Sequence, residues 1–189
     1  MRDIEKHKKA RHEWYVNHKN ETYERTMENK RKRREWFKEY KKTLSCSKCG
    51  FSGKDAPRAI SFHHLDATLK SDTVANMVSN CRKKEIILKE IEKCQILCEN
   101  CHRKLGKEFN KQKLSHNTTT QRWYNEFVVN LKCEICGESD LKCLDFHHIN
   151  PEEKEDMICN MLNHNSSVDR LCRELNKCRC LCANCHLSL

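Results

Sequence analysis

The chain has 189 residues, a formal charge of +10 and a sequence pI of about 8.9, with fifteen cysteines but only four glycines and two prolines. The length suits one ordinary domain or two small ones. The Met-Arg-Asp-Ile-Glu-Lys start lacks the apolar core of a secretory signal and no apolar run reaches membrane-spanning length, which argues against a disulfide scaffold or a membrane protein.

The cysteines therefore read as thiolate ligands in an intracellular, reducing compartment: the cytoplasm of a bacterial or virus-infected cell, a nucleoid or a nucleus. The positive charge suits a polyanionic partner, above all nucleic acid. Neither a membrane nor an obligatory protein partner is expected.

Residues 1–45 contain neither Gly nor Pro and carry fifteen Lys/Arg against eight Asp/Glu. The composition favours helix. Lys30, Arg31, Lys32, Arg33 and Arg34 form the densest cationic cluster and are the expected DNA-binding residues. Residues 1–32 form a basic arm, either helical or disordered until it meets phosphate. Trp36, Phe37, Tyr40 and Leu44 give the last turns one apolar face. After a Cys-x-x-Cys at Cys46/Cys49, alternation around Ile60 and Phe62 predicts a short strand ending at His63-His64. Residues 67–80 read as polar and irregular. Ile87, Ile91 and Cys94 predict a helix over 82–93, and a short helix is expected from Asn100 to Leu105. Residues 106–120 read as a polar linker.

The pattern then restarts. Trp36, Glu39, Leu44, Cys46 and Cys49 recur 87 residues later as Trp123, Glu126, Leu131, Cys133 and Cys136. From Phe62 onward the offset is 84, so a three-residue difference falls in the loop after the first Cys-x-x-Cys. His63, His64, Asn76, Glu90, Lys93, Cys98, Asn100, Cys101 and His102 return as His147, His148, Asn160, Glu174, Lys177, Cys182, Asn184, Cys185 and His186. The chain is thus two copies of one module, at 33–105 and 121–189.

Two Cys-x-x-Cys knuckles make a closed four-thiolate zinc site. Cys46, Cys49, Cys98 and Cys101 are expected to hold one structural Zn²⁺, and Cys133, Cys136, Cys182 and Cys185 a second. Cys94 and Cys178 also repeat, but fit the clamp less well. With Cys81, Cys143, Cys159, Cys172 and Cys180 they are expected to be small buried hydrophobes. The fold class is accordingly α+β, built from two small zinc-stabilised units that cannot each assemble a large core.

A filled four-thiolate site has no use for the repeated histidines. Cys-x-x-Cys, His-His at a strand end, then Leu-Cys-x-Asn-Cys-His resembles the HNH endonucleases, over residues 33–105 and again over 121–189. The resemblance implies a ββα-metal motif on a treble-clef scaffold. It implies that His63 and His102, or His147 and His186, hold a catalytic Mg²⁺ or similar divalent ion, and that His64 or His148 is the general base. Asn76 and Asn160, or Asn100 and Asn184, are candidates for orienting that base. Pro151 fits the family pattern, whereas Ala67 departs from it. The implied activity is hydrolysis of double-stranded DNA by a covalent pseudo-dimer, each module cutting one strand, in homing, restriction or phage DNA processing. A non-catalytic zinc-dependent nucleic-acid-binding protein and a nickase with one inactive module are the alternatives.

Overall fold

A computed structural model describes residues 4–106 and 118–189, so residues 107–117 of the expected linker and residues 1–3 of the arm lie outside the described residues. The chain divides into two compact units, Met1–Tyr40 with His64–Cys94 and Lys41–His63 with Gln95–Leu189. This division does not follow the boundary between the copies: the second unit holds the whole second copy together with Cys46, Cys49, Cys98 and Cys101 of the first.

The first unit begins with α1 (Ile4–Asn17) and α2, which runs over Lys19–Lys42 and so ends just past the unit boundary. At the junction His18 stacks on Trp14 and its Nδ1 lies 2.8 Å from the Trp14 carbonyl. The described part of the arm, from Ile4 onward, is helical. Its Trp36, Phe37 and Tyr40 stripe is half-buried rather than buried, with the three rings stacked or tilted at 6.0–6.4 Å.

Residues 67–80 are not irregular. A 3₁₀ turn at Ala67–Leu69 is followed by α3 (Val74–Ser79). Thr73 caps α3 by accepting the Asn76 N–H, and Val74, Met77 and Val78 bury one face at helical spacing. Six residues are too few for periodicity to stand out among polar neighbours. Next, α4 (Lys84–Ile91) buries Ile87, Glu90 and Ile91, and β2 (Cys94–Cys98) leads back into the second unit.

The second unit contains most of β1 (Ile60–His64), which pairs with β2 in a two-stranded sheet. Directly behind β2 comes α5 (Glu99–Leu105). The second copy repeats the order: α6 (Thr119–Val128), β3 (Leu144–His148), α7 (Ile158–Asn163), α8 (Val168–Leu175), β4 (Cys178–Cys182) and α9 (Ala183–Leu187). β3 and β4 are antiparallel, with His148 opposite Cys178 and Leu144 opposite Cys182.

Two small cores flank β3. Cys133, Cys143, Leu181 and Cys182 form one, and Ile158, Met161, Leu171 and Leu175 the other, with Trp123, Tyr124 and Phe146 packed against it. Cores of this size need a further source of stability. The architecture is mixed helix and strand with two small sheets, and among the described residues no helix is long and apolar enough to cross a membrane.

Of the seven cysteines outside the paired knuckles, only Cys143 and Cys180 are buried. Cys81, Cys94, Cys172 and Cys178 are half-buried and Cys159 is exposed, which corrects the expectation that all seven serve as core residues. The thiols of Cys94 and Cys178 each donate to the backbone oxygen of the repeated glutamate, Glu90 or Glu174, at 3.4 Å.

Candidate metal centres and histidine sites

The knuckles converge as their spacing predicts. Cys46, Cys49, Cys98 and Cys101 have all sulfurs within 4.8 Å of one another, and so do Cys133, Cys136, Cys182 and Cys185. Cys49 and Cys98 sulfurs are 3.7 Å apart, and Cys136 and Cys182 sulfurs 3.6 Å. A tetrahedral zinc with bonds of about 2.3 Å puts its sulfurs about 3.8 Å apart, so the spacing fits.

Local backbone builds each clamp. Gly50 and Gly137 follow the second cysteine of the upstream knuckle with φ of +72° and +75°, which a side chain disfavours. Their N–H groups return to the carbonyls of Cys46 and Cys133 at 2.9 Å. The downstream knuckle places Cys98 and Cys182 as helix caps, each sulfur accepting an N–H at 3.4 Å.

Burial alone would raise the Cys133 thiol, but N–H groups of Cys182, Cys136 and Ile135 outweigh it and hold the pKa at about 6. Cys46 is held at about 7 against its own burial by N–H groups of Cys98, Cys49 and Lys48. Burial and then the neighbouring sulfurs push Cys101 and Cys185 upward. Four thiolates this close repel one another, and a divalent cation removes the conflict.

The second copy carries its histidines in one unit. Alternation along β3 sends Asp145 and His147 to one face and Phe146 and His148 to the other. On the first face His147 meets His186 of α9 at a centroid distance of 5.0 Å and 68°. Burial first, then the neighbouring His186, Arg179 and His148, lowers the His147 pKa, which keeps the ring neutral and able to ligate. Asp145 Oδ2 lies 3.5 Å from His186 Nδ1, while Arg103 donates to Asp145 Oδ1 at 2.9 Å.

On the other face His148 Nε2 lies 2.8 Å from Glu174 Oε1, with the His148 side chain 10% exposed and that of Glu174 fully buried. A carboxylate only accepts, so Nε2 carries the proton and Nδ1 is the nitrogen left to take another. Glu174 also accepts from Lys177 Nζ at 2.6 Å and from the Glu155 and Asp156 N–H groups at 2.8 and 3.3 Å. Burial would raise its pKa, but Lys177, His148 and the two N–H groups hold it at about 2.

The first copy repeats both halves of this arrangement, each within its own unit. In the second unit His63 and His102 are 5.3 Å apart at 64°. In the first, His64 Nε2 is 2.9 Å from Glu90 Oε1, and Glu90 also accepts from Lys93 at 2.6 Å and the Ser71 N–H at 2.8 Å.

The asparagines divide. Asn76 and Asn160 donate to Asp72 and Asp156 one turn back, at 3.1 and 3.0 Å, rather than to a histidine. Asn160 reaches His148 only indirectly, since the Asp156 N–H donates to Glu174, which holds His148. Asn100 and Asn184 are buried, and each side-chain oxygen accepts the other's backbone N–H at 3.1 Å. Each thereby satisfies a free donor in the first turn of the facing helix, α5 or α9. That reciprocity is the signature of a twofold contact. Lys104–Glu138 at 2.7 Å and Arg103–Asp145 flank it.

The roles of Glu90, Glu174 and Asp145 were not read from the sequence. For the glutamates a signal existed: a repeated acidic residue on the apolar face formed by Ile87 and Ile91, or by Leu171 and Leu175. A charge there requires partners. Of the arm cations, Arg31 is held by Glu28 through two 2.8 Å bonds and Lys32 is 3.4 Å from the same carboxylate. Arg33 lies over Trp36.

Compared with known families, characterised proteins and solved structures, the chain matches none.

Proposed function

We propose that the chain is a metal-dependent DNA endonuclease of HNH type, with a treble-clef ββα-metal unit in each copy. The observation that carries this reading is the divided strand β3: His147 faces His186, while His148 is aligned by buried Glu174. A bound Mg²⁺-like ion would stabilise the charge that develops on a phosphodiester. His147 and His186 would hold that ion. His148, with Nε2–H fixed on Glu174, takes the proton of the attacking water at Nδ1. The four-thiolate centres bind structural zinc and keep β3, β4 and α9 in register. The reciprocal Asn100–Asn184 pair supports a pseudo-dimer in which the two copies act on the two strands.

Cleavage of supercoiled plasmid with and without Mg²⁺ tests the reading. Wild-type protein is expected to linearise, and His148→Ala or His64→Ala to nick, with the double variant losing about 10²–10⁴-fold in rate. Normal cleavage by the double variant would remove the mechanism. A nickase is the second reading, favoured by the replacement of Asp145 in the second copy by Ser61 in the first. In that case His64→Ala leaves the rate unchanged.

A further inference from the structure

Within the unit of Met1–Tyr40 and His64–Cys94, a recess of about 380 Å³ lies between the basic helix and the α3–α4 corner. Asn29, Lys32 and Arg33 of α2 line one side, and Cys81 and Lys84 the other. The lining has three cations, one amide and no acid. Arg33 Nη1 is buried and has no hydrogen-bond acceptor among the described residues. A buried guanidinium N–H without an acceptor is costly, and an anionic ligand would remove that cost.

The cations are also pre-positioned. Arg33 and Lys84 both lie over the Trp36 ring, at 5.5 and 5.1 Å from its centroid. Cys81, at φ +52°, makes the corner after which α4 starts at Lys84. Arg31 contrasts with them, because Glu28 already takes two of its donors.

The module fold does not demand this recess. In the second copy Asn165 makes the same left-handed corner at φ +51°. There Thr120 stands for Arg33 and donates to the Ser166 carbonyl at 2.8 Å, and Val168 stands for Lys84. The cationic version belongs to the copy that bears the basic arm.

We propose that this recess binds one backbone phosphate of a nucleic acid, with Arg33 and Lys84 as its principal donors and Lys32 and the Asn29 amide completing the shell. The proposal rests on the nucleic-acid reading above. A polymer is favoured over a free phosphate because the recess sits on a helix whose further cations, Lys30 and Arg34, would meet neighbouring phosphates.

The test is affinity of the full chain for a short DNA duplex across a KCl series, without added divalent metal. On duplex DNA, losing one phosphate contact lowers the log–log slope by about 0.9 in magnitude. Arg33→Gln and Lys84→Gln are each expected to lower it, and the double variant to lose about 0.9 in all, since both serve one phosphate. Arg170→Gln, in the second unit and paired with Glu155 at 2.8 Å, should leave the slope unchanged. Unaltered helicity and thermal melting report folding of the unit that holds the recess, and Arg33→Lys should restore much of the slope. An unchanged slope in the double variant overturns the site. A double variant that loses twice as much overturns the single shared phosphate. If wild-type protein binds no duplex, the nucleic-acid reading itself fails. If inorganic phosphate binds and Arg33→Gln abolishes that while the duplex slope stays, the recess is a free-phosphate site and the assignment to nucleic acid is wrong.

Discussion

The two copies are nearly superimposable in their chemistry and different around its edge. Both hold four cysteines, a facing histidine pair and a second histidine on a buried glutamate, with equivalent distances agreeing to about 0.3 Å or better. The carboxylate beside the histidine pair differs. In the first copy Ser61 donates to Glu99 at 2.5 Å, whereas in the second the acid has moved to the strand as Asp145 and Ala183 takes the helix position. Asp145 is bonded by Arg103 of the first copy, so the second copy's site depends on its neighbour in a way the first copy's does not. What is duplicated is therefore what the metal and histidine geometry requires, and what has diverged is how each copy meets its surroundings.

The comparison can be broken first at the thiolates. Cys98→Ser and Cys182→Ser should each lower zinc from two ions per chain to one and unfold the affected copy, because structural zinc supplies on the order of 10 kcal/mol of folding free energy. Metal analysis with thermal melting checks this. Retention of two ions at wild-type stability would sink the shared architecture.

The buried glutamates come next. Glu90→Gln and Glu174→Gln leave a histidine and a lysine without their anion, and each should cost about 3–5 kcal/mol. Similar losses in denaturant melts are expected, since each glutamate holds one histidine and one lysine. The carboxylates, held at about 2, stabilise the fold above the ordinary carboxyl range and lose that contribution as the pH falls through it toward about 2.

The twofold pair should respond symmetrically. Asn100→Ala or Asn184→Ala strands one buried N–H on the opposite helix, at about 1–3 kcal/mol each. A double-mutant cycle should show coupling between them, and strict additivity would mean that the reciprocal bonds act independently.

The smallest effect is expected at Ala67→Pro, which copies Pro151. Both residues open a 3₁₀ turn after an extended residue whose side chain caps it, Asp66 at φ −125° and Asn150 at φ −116°. The difference between Ala67 and Pro151 therefore leaves the local fold unchanged. Proline should add about 0.4–1 kcal/mol by restricting the unfolded chain. A loss of stability would show that the turns are not equivalent.

How far these features were legible depended on range. The two four-cysteine clusters could be read because a Cys-x-x-Cys turn is local and its partner recurs in register. The strand before His63-His64 and the α4 helix were legible from alternation and from the Ile87/Ile91 stripe. α3 was missed because its cap and three apolar residues span a single turn and a half. The asparagine assignment stayed open because a side-chain amide can serve a cap, a base or an interface equally well, and the choice is made by what stands opposite it.

The residue types and their spacing alone determined the duplication, the two four-cysteine sets, the basic arm and the repeated histidines, since all are fixed by covalent order and short-range geometry. Only the tertiary structure decided that Glu90 and Glu174 hold His64 and His148, that Asn100 and Asn184 clasp each other, and that Arg103 crosses to Asp145. Those contacts join residues 26 to 84 positions apart. Their strength comes from burial, which converts an ordinary polar side chain into one that must find a partner.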